Sequence, residues 1–195
     1  MPVHFPRKLL VAAAMVVIAG CQTGPGGHAV PSVAQIGGDL KCASGDSPTE
    51  DPQAGWGFCH PGTWKYIERS QASTSPPGLD LTFDITDVPC SPAPSGSGQP
   101  SCSTDAGLFA FMIISTYERG NASNLAGWEL ANLGPGTATQ PISWGNAVEA
   151  GRLADGRRIA LTPHHVVILD LRSGQGHLDL ETQMSARLDT WKFSF

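Results

Sequence analysis

The chain is poor in charge. Only 15% of its 195 residues are Asp, Glu, Lys or Arg, and acids outnumber bases by 17 to 12. The bases are scattered as singles and pairs, the densest being Arg157-Arg158. The basic stripe that a nucleic acid requires is therefore missing. No His-Glu-x-x-His and no glycine-rich phosphate loop occurs, which removes the two commonest signatures of zinc hydrolysis and nucleotide binding. No Gly-x-Ser-x-Gly elbow presents a nucleophile, and no Cys-x-x-Cys pair suggests structural zinc. No apolar run approaches the roughly 20 residues that span a bilayer. Nucleic-acid partners, cofactors and membrane-spanning segments are accordingly not expected.

What is present begins at the N-terminus. Arg7-Lys8 is followed by an uncharged apolar run from Leu9 to Ala19, and small residues precede Cys21. A basic segment, a short apolar run and a small-residue cut site are the parts of a secretory signal. The residues Ile18-Ala19-Gly20-Cys21 resemble the lipobox of bacterial lipoproteins. That resemblance implies removal of residues 1–20 and acylation of the Cys21 thiol, which anchors the chain to a membrane of the cell envelope. Residues 21–40 have too few large apolar groups to offset the entropy of ordering and read as a flexible tether. Fully stretched, it reaches some 65 Å at about 3.3 Å per residue. Residues 41–195 suit one domain. The precursor carries a net charge of −5, and loss of Arg7 and Lys8 takes the mature chain to −7. Membrane association must then come from acyl chains, since anionic lipid repels such a surface.

With Cys21 set aside, Cys42, Cys59, Cys90 and Cys102 remain. An even number in an exported domain suggests two disulfides. Three pairings are possible; Cys42–Cys59 and Cys90–Cys102 each close a segment rich in turn residues.

Several segments have a readable period. Residues 55–68 read as two short strands around His60-Pro61-Gly62-Thr63, a turn in which Pro fixes φ and Gly tolerates positive φ. Leu79, Leu81, Phe83 and Ile85 alternate with Asp80, Thr82, Asp84 and Thr86, the period of a half-buried strand. Residues 108–116 are nearly continuously apolar and suit a central strand covered on both faces. Asn121 can cap a helix over 122–133. Asp155-Gly156 marks a hairpin between strands in 144–154 and 157–162. A further strand spans about His165 to Leu171. Leu180, Met184, Leu188 and Trp191 recur as one helix stripe, with Asp179 as cap, Lys192 at the favourable end of the dipole, and Phe193 and Phe195 turned towards the sheet. The predicted fold class is α+β: a mostly antiparallel sheet of six or seven strands packed by two helices, with disulfide-clasped loops.

This order of elements resembles the PsbP-like fold, an α/β/α sandwich found among bacterial lipoproteins. The resemblance rests on Trp56 to Trp64, on the strand pair Arg158 to Thr162 and His165 to Leu171, and on the last helix running into Ser185 to Phe193. It implies a binding or assembly module rather than a catalyst, and it brings no functional residues with it.

Candidate chemistry is sparse. His164 and His165 are adjacent on a strand and point to opposite faces, so they do not easily share a metal, and nothing in the spacing joins His60 or His177 to them. Asp80 and Asp84 lie about 13 Å apart along a strand, beyond the roughly 5–10 Å of a glycosidase pair. Ser95 and Ser97 sit in a Pro/Gly loop without an activating base. Among five tryptophans, Trp56 and Trp144 stand beside glycines near strand starts and are the expected surface contacts for a ligand or partner. The resulting expectation is a lipid-anchored envelope protein that binds an envelope protein or small ligand. A hydrolase whose site is assembled from distant residues is the alternative.

Overall fold

A computed structural model describes residues 40–74, 76–86, 110–137, 139–173 and 178–194. The fold is α+β. Its elements are β1 (Asp46–Asp51), β2 (Trp56–Pro61), β3 (Lys65–Thr74), β4 (Pro77–Thr86), β5 (Ala110–Glu118), α1 (Leu125–Asn132), β6 (Thr139–Pro141), β7 (Glu149–Leu153), β8 (Arg158–Leu161), β9 (His165–Arg172), α2 (Leu180–Ser185) and β10 (Lys192–Phe193). Seven strands form an antiparallel sheet in the order β3-β4-β5-β9-β8-β7-β6, and β1-β2-β10 form a second, three-stranded one. No helix among the described residues is long and apolar enough to cross a membrane.

The alternation in β4 is what splits the large sheet into two faces. Leu81, Phe83 and Ile85 are buried with Ala110, Met112 and Ile114 of β5, Ala160 of β8, and Val167 and Leu169 of β9. The small sheet and α2 close over this face, bringing Trp56, Phe58, Leu180, Met184, Trp191 and Phe193. On the reverse face, α1 lays Leu125 and Trp128 over Leu153, Ile159, Leu161, Val166 and Ile168. It covers only that half. Phe111 of β5 and Ile67 of β3 remain exposed, so β5 is central in the sheet but not covered on both faces as its sequence suggests.

The rings of Trp56, Phe58, Trp144, Trp191 and Phe193 meet between the sheets. Trp191 stacks on Phe58 at 4.4 Å and meets Trp144 edge to face at 5.0 Å and 74°. Gly145 adopts φ +51, and a Cβ there would collide with the Trp191 carbonyl, so the loop after Trp144 can close on the cluster only with glycine. Trp56 also ties the two sheets together through Nε1–H, which donates to Thr116 Oγ1 at 3.0 Å.

Several elements depart from their sequence period. The helix predicted at 122–133 starts later, with Asn124 rather than Asn121 accepting the Gly127 N–H at 2.8 Å, and Leu130 points to solvent. The terminal helix stops at Ser185 and gives way to a 3₁₀ turn at Leu188–Thr190. Asp179 does cap it, accepting the Thr182 N–H. Lys192, however, lies in β10 against Gly57 and not at a helix end. The two strands around His60-Pro61-Gly62-Thr63 do not pair with each other; β2 belongs to the small sheet and β3 to the large one. The Asp155-Gly156 hairpin has a three-residue loop, with Leu153 N–H bonded to Arg157 O and Gly156 N–H to Leu153 O. Gly156 takes the positive φ that this loop demands.

Candidate ligand groove

Cys42 and Cys59 form a disulfide, one of the two expected. It closes a short loop and is worth about 3 kcal/mol in the chain-entropy account. Cys21, Cys90, Cys102, Ser95, Ser97, His177 and Phe195 lie outside the described residues.

Trp56 and Trp144 do not lie on the surface. They are 1% and 2% exposed and belong to the ring cluster. The glycines beside them make room for close packing. The indole N–H of Trp144 and that of Trp191 have no hydrogen-bond partner among the described residues; their edge-to-face contact is the arrangement in which an indole edge meets a π face.

The histidines stay apart. The His60 ring stacks on Trp64 at 5.6 Å, and its Nδ1 sits 2.9 Å from the Pro61 carbonyl, which can only accept, so Nδ1–H is the donor. Burial, and then neighbouring His164, push the His165 pKa down against the opposing pull of Glu118. No group of three or more His, Cys, Asp or Glu side chains converges among the described residues. Asp84 pairs with Arg69 at 2.7 Å, while Asp80 Oδ1 is buried without a hydrogen-bond partner.

The feature that does assemble is a groove of about 520 Å³ where the start of α1 meets β6, β7 and the loop between those strands. Its walls mix apolar side chains, among them Leu125, Pro141, Ile142, Val148 and Ala150, with hydroxyls from Thr139 and Ser143, and the surface they expose is about as polar as it is apolar. Glu149 is the only ionisable residue of the lining. It is exposed, and its Oε2 accepts the Leu125 N–H at 3.0 Å. A strand carboxylate thus satisfies one of the free N–H groups at the helix start and complements its dipole.

A second carboxyl lies one turn into α1. Glu129 is 3% exposed, and its Oε1 has no hydrogen-bond partner. Burial raises its pKa from the usual 4.5, and the Glu149 charge raises it further, against a hydrogen bond from Thr139. The fold therefore favours the protonated form. The stability this group carries is intact below the ordinary glutamate range and is lost as pH rises through the elevated folded value. Glu129→Gln should be more stable than wild type at pH 8 by about 1 kcal/mol and show no such gain at pH 4. Urea midpoints at the two pH values measure this; a gain that is equal at both pH values would refute it.

Thr139 and Ser143 line the groove, the Thr139 hydroxyl is hydrogen-bonded to the Glu129 carboxyl, and no His or Lys is among the lining residues. Glu129 stands behind the lining, not in it. Residues 125, 128, 129 and 132 follow helical i, i+3, i+4, i+7 spacing, so the burial of Glu129 was legible in principle. Nothing in the sequence marks Glu149. No family model matches the chain, and no significant match is found among curated proteins or solved structures.

Proposed function

We propose that this chain is an exported, membrane-anchored protein whose folded part is a non-catalytic binding module. The groove carries the reading: it has the volume of a small-molecule site, and its walls offer apolar side chains beside polar groups that can orient a ligand. The lipobox-like residues Ile18 to Cys21 support acylation of Cys21, and residues 21–40 then link lipid to fold. The Cys42–Cys59 disulfide supports export, because such bonds persist in oxidising compartments. The likeness to PsbP-like proteins points the same way, to binding or assembly.

The anchor is tested by fractionation. Wild type should sediment with membranes, and Cys21→Ser should move to the soluble fraction. A variant that stays with membranes as fully as wild type does would overturn the anchor.

A further inference from the structure

We propose that β3 is a docking edge for a second copy of this chain, the two β3 strands pairing antiparallel about a twofold axis at Ser70. The inference goes beyond the groove reading, since β3 and β6 are opposite edges of the large sheet. An edge strand offers unpaired N–H and C=O groups to any strand that can reach it, and folded proteins usually blunt such edges. Among the described residues, three of the four sheet edges are blunted. β1 carries Pro48 together with Asp46, Glu50 and Asp51. β6 has three residues and ends on Pro141, and β10 has two residues. β3 is the exception, with ten residues and no proline. Its register against β4 runs unbroken from Lys65 opposite Thr86 to Thr74 opposite Pro77, so no bulge twists it away. Nine of its ten residues are exposed, and no described strand pairs with its outer side.

Charge and register select the strand's own copy. Two such sheets keep their buried faces on the same side only if residues of like orientation meet, so one residue must face its counterpart. Centring on Ile67 sets Lys65 against Arg69, and centring on Glu68 or Arg69 sets each against itself. Like charges directly opposite destabilise an antiparallel pair. Centring on Ser70 sets Glu68 against Ala72 and Arg69 against Gln71, and it leaves Lys65 outside the paired stretch 66–74. Gln71 is also a centre without conflict but pairs only 68–74. The Ser70 register also covers both exposed apolar side chains of the strand. Tyr66 and Ile67, 40% and 61% exposed, come beside Thr74 and Ser73 of the other copy, and an aromatic ring beside a β-branched residue is a favourable cross-strand pair.

The test uses the full mature protein in detergent micelles under mild oxidation. In this register residue 70 of one copy faces residue 70 of the other at roughly 4.5–5.5 Å between Cα atoms, a spacing that a disulfide spans. Residue 72 lies more than about 13 Å from its counterpart by the rise of four residues. Ser70→Cys should give a covalent dimer, and Ala72→Cys and wild type should not. Ser70→Lys sets two ammonium groups face to face. Self-association measured by sedimentation should weaken about fivefold, while the urea midpoint at high dilution stays that of wild type. A wild-type protein that is monomeric at every concentration, or equal cross-linking at 70 and 72, overturns the proposal. So does a Ser70→Cys adduct with a different envelope protein in place of the dimer, which would give the edge to a foreign strand.

Discussion

Trp191→Ala should lose about 3–5 kcal/mol of unfolding free energy, the range for deleting a large buried aromatic. Trp191 is fully buried and touches four other rings: Phe58 at 4.4 Å, Trp144 at 5.0 Å, and Trp56 and Phe193 at 6.0 Å. Those rings come from β2, from the loop after β6 and from β10, so a void at this point is walled by segments far apart in sequence. The loop cannot slide in to fill it, because Gly145 already packs against the Trp191 backbone. Asn146 fixes the same region: its amide nitrogen donates to Phe193 O at 2.9 Å and its amide oxygen accepts the Phe193 N–H, standing in for a neighbouring strand. Trp191→Phe retains a ring and should lose less than half as much. Urea denaturation measures both, and a loss under about 1.5 kcal/mol for the alanine variant would show that the cluster collapses freely.

Glu181→Ala should cost about 2–3 kcal/mol, and Arg158→Met under about 1 kcal/mol, although both remove the same ion pair. The asymmetry follows from burial. Arg158 is 3% exposed and Glu181 is 43% exposed. Arg158 gives two guanidinium bonds to Glu181, at 3.0 and 2.6 Å, and one to Ser185. Without Glu181 the guanidinium stays buried with Ser185 as its remaining partner, and alanine does not otherwise harm a helix. Without Arg158 the carboxylate simply returns to water and retains Arg152 at 3.0 Å. The estimate sits below that of a fully buried pair because solvent already screens Glu181. Comparable losses in the two variants would refute the argument. The hydrogen bonds from Arg158 hold the Glu181 pKa below its usual 4.5, and Arg187 does the same for Asp46. Both contributions are present above the ordinary carboxylate range and are lost as pH falls through the lowered folded values.

The strands written in apolar alternation were legible. Leu81, Phe83 and Ile85 turn inward, and β8 and β9 flank a short Thr162-Pro163-His164 turn close to its expected place. Elements with no period of their own were not. β1 reads Asp-Ser-Pro-Thr-Glu-Asp, and the second half of β3, Ser-Gln-Ala-Ser-Thr, has no large apolar residue. Each becomes a strand because a neighbour supplies the pairing and not through its own propensity. The last apolar stripe was real in burial but not in shape. Leu180, Met184 and Trp191 are buried, yet the helix ends early so that Trp191 and Phe193 can reach the ring cluster. The groove lay beyond sequence reasoning for a similar reason. Glu129 and Glu149 are separated by two loops and one strand, β6, and only the folded arrangement of α1 on the sheet brings them together.

Closing residues 42 and 59 into a covalent ring changes how this protein would bear a load. Tension arriving from the N-terminal side crosses the sulfur bridge and enters β2 directly, so β1, inside the ring, carries none of it. β2 is the middle strand of its sheet and pairs with β10 near the other end of the chain. The β2 residues that meet β10, Trp56 and Gly57, also lie inside the ring, so the load passes on from Cys59 towards β3, and the polar outer strand cannot be peeled away first.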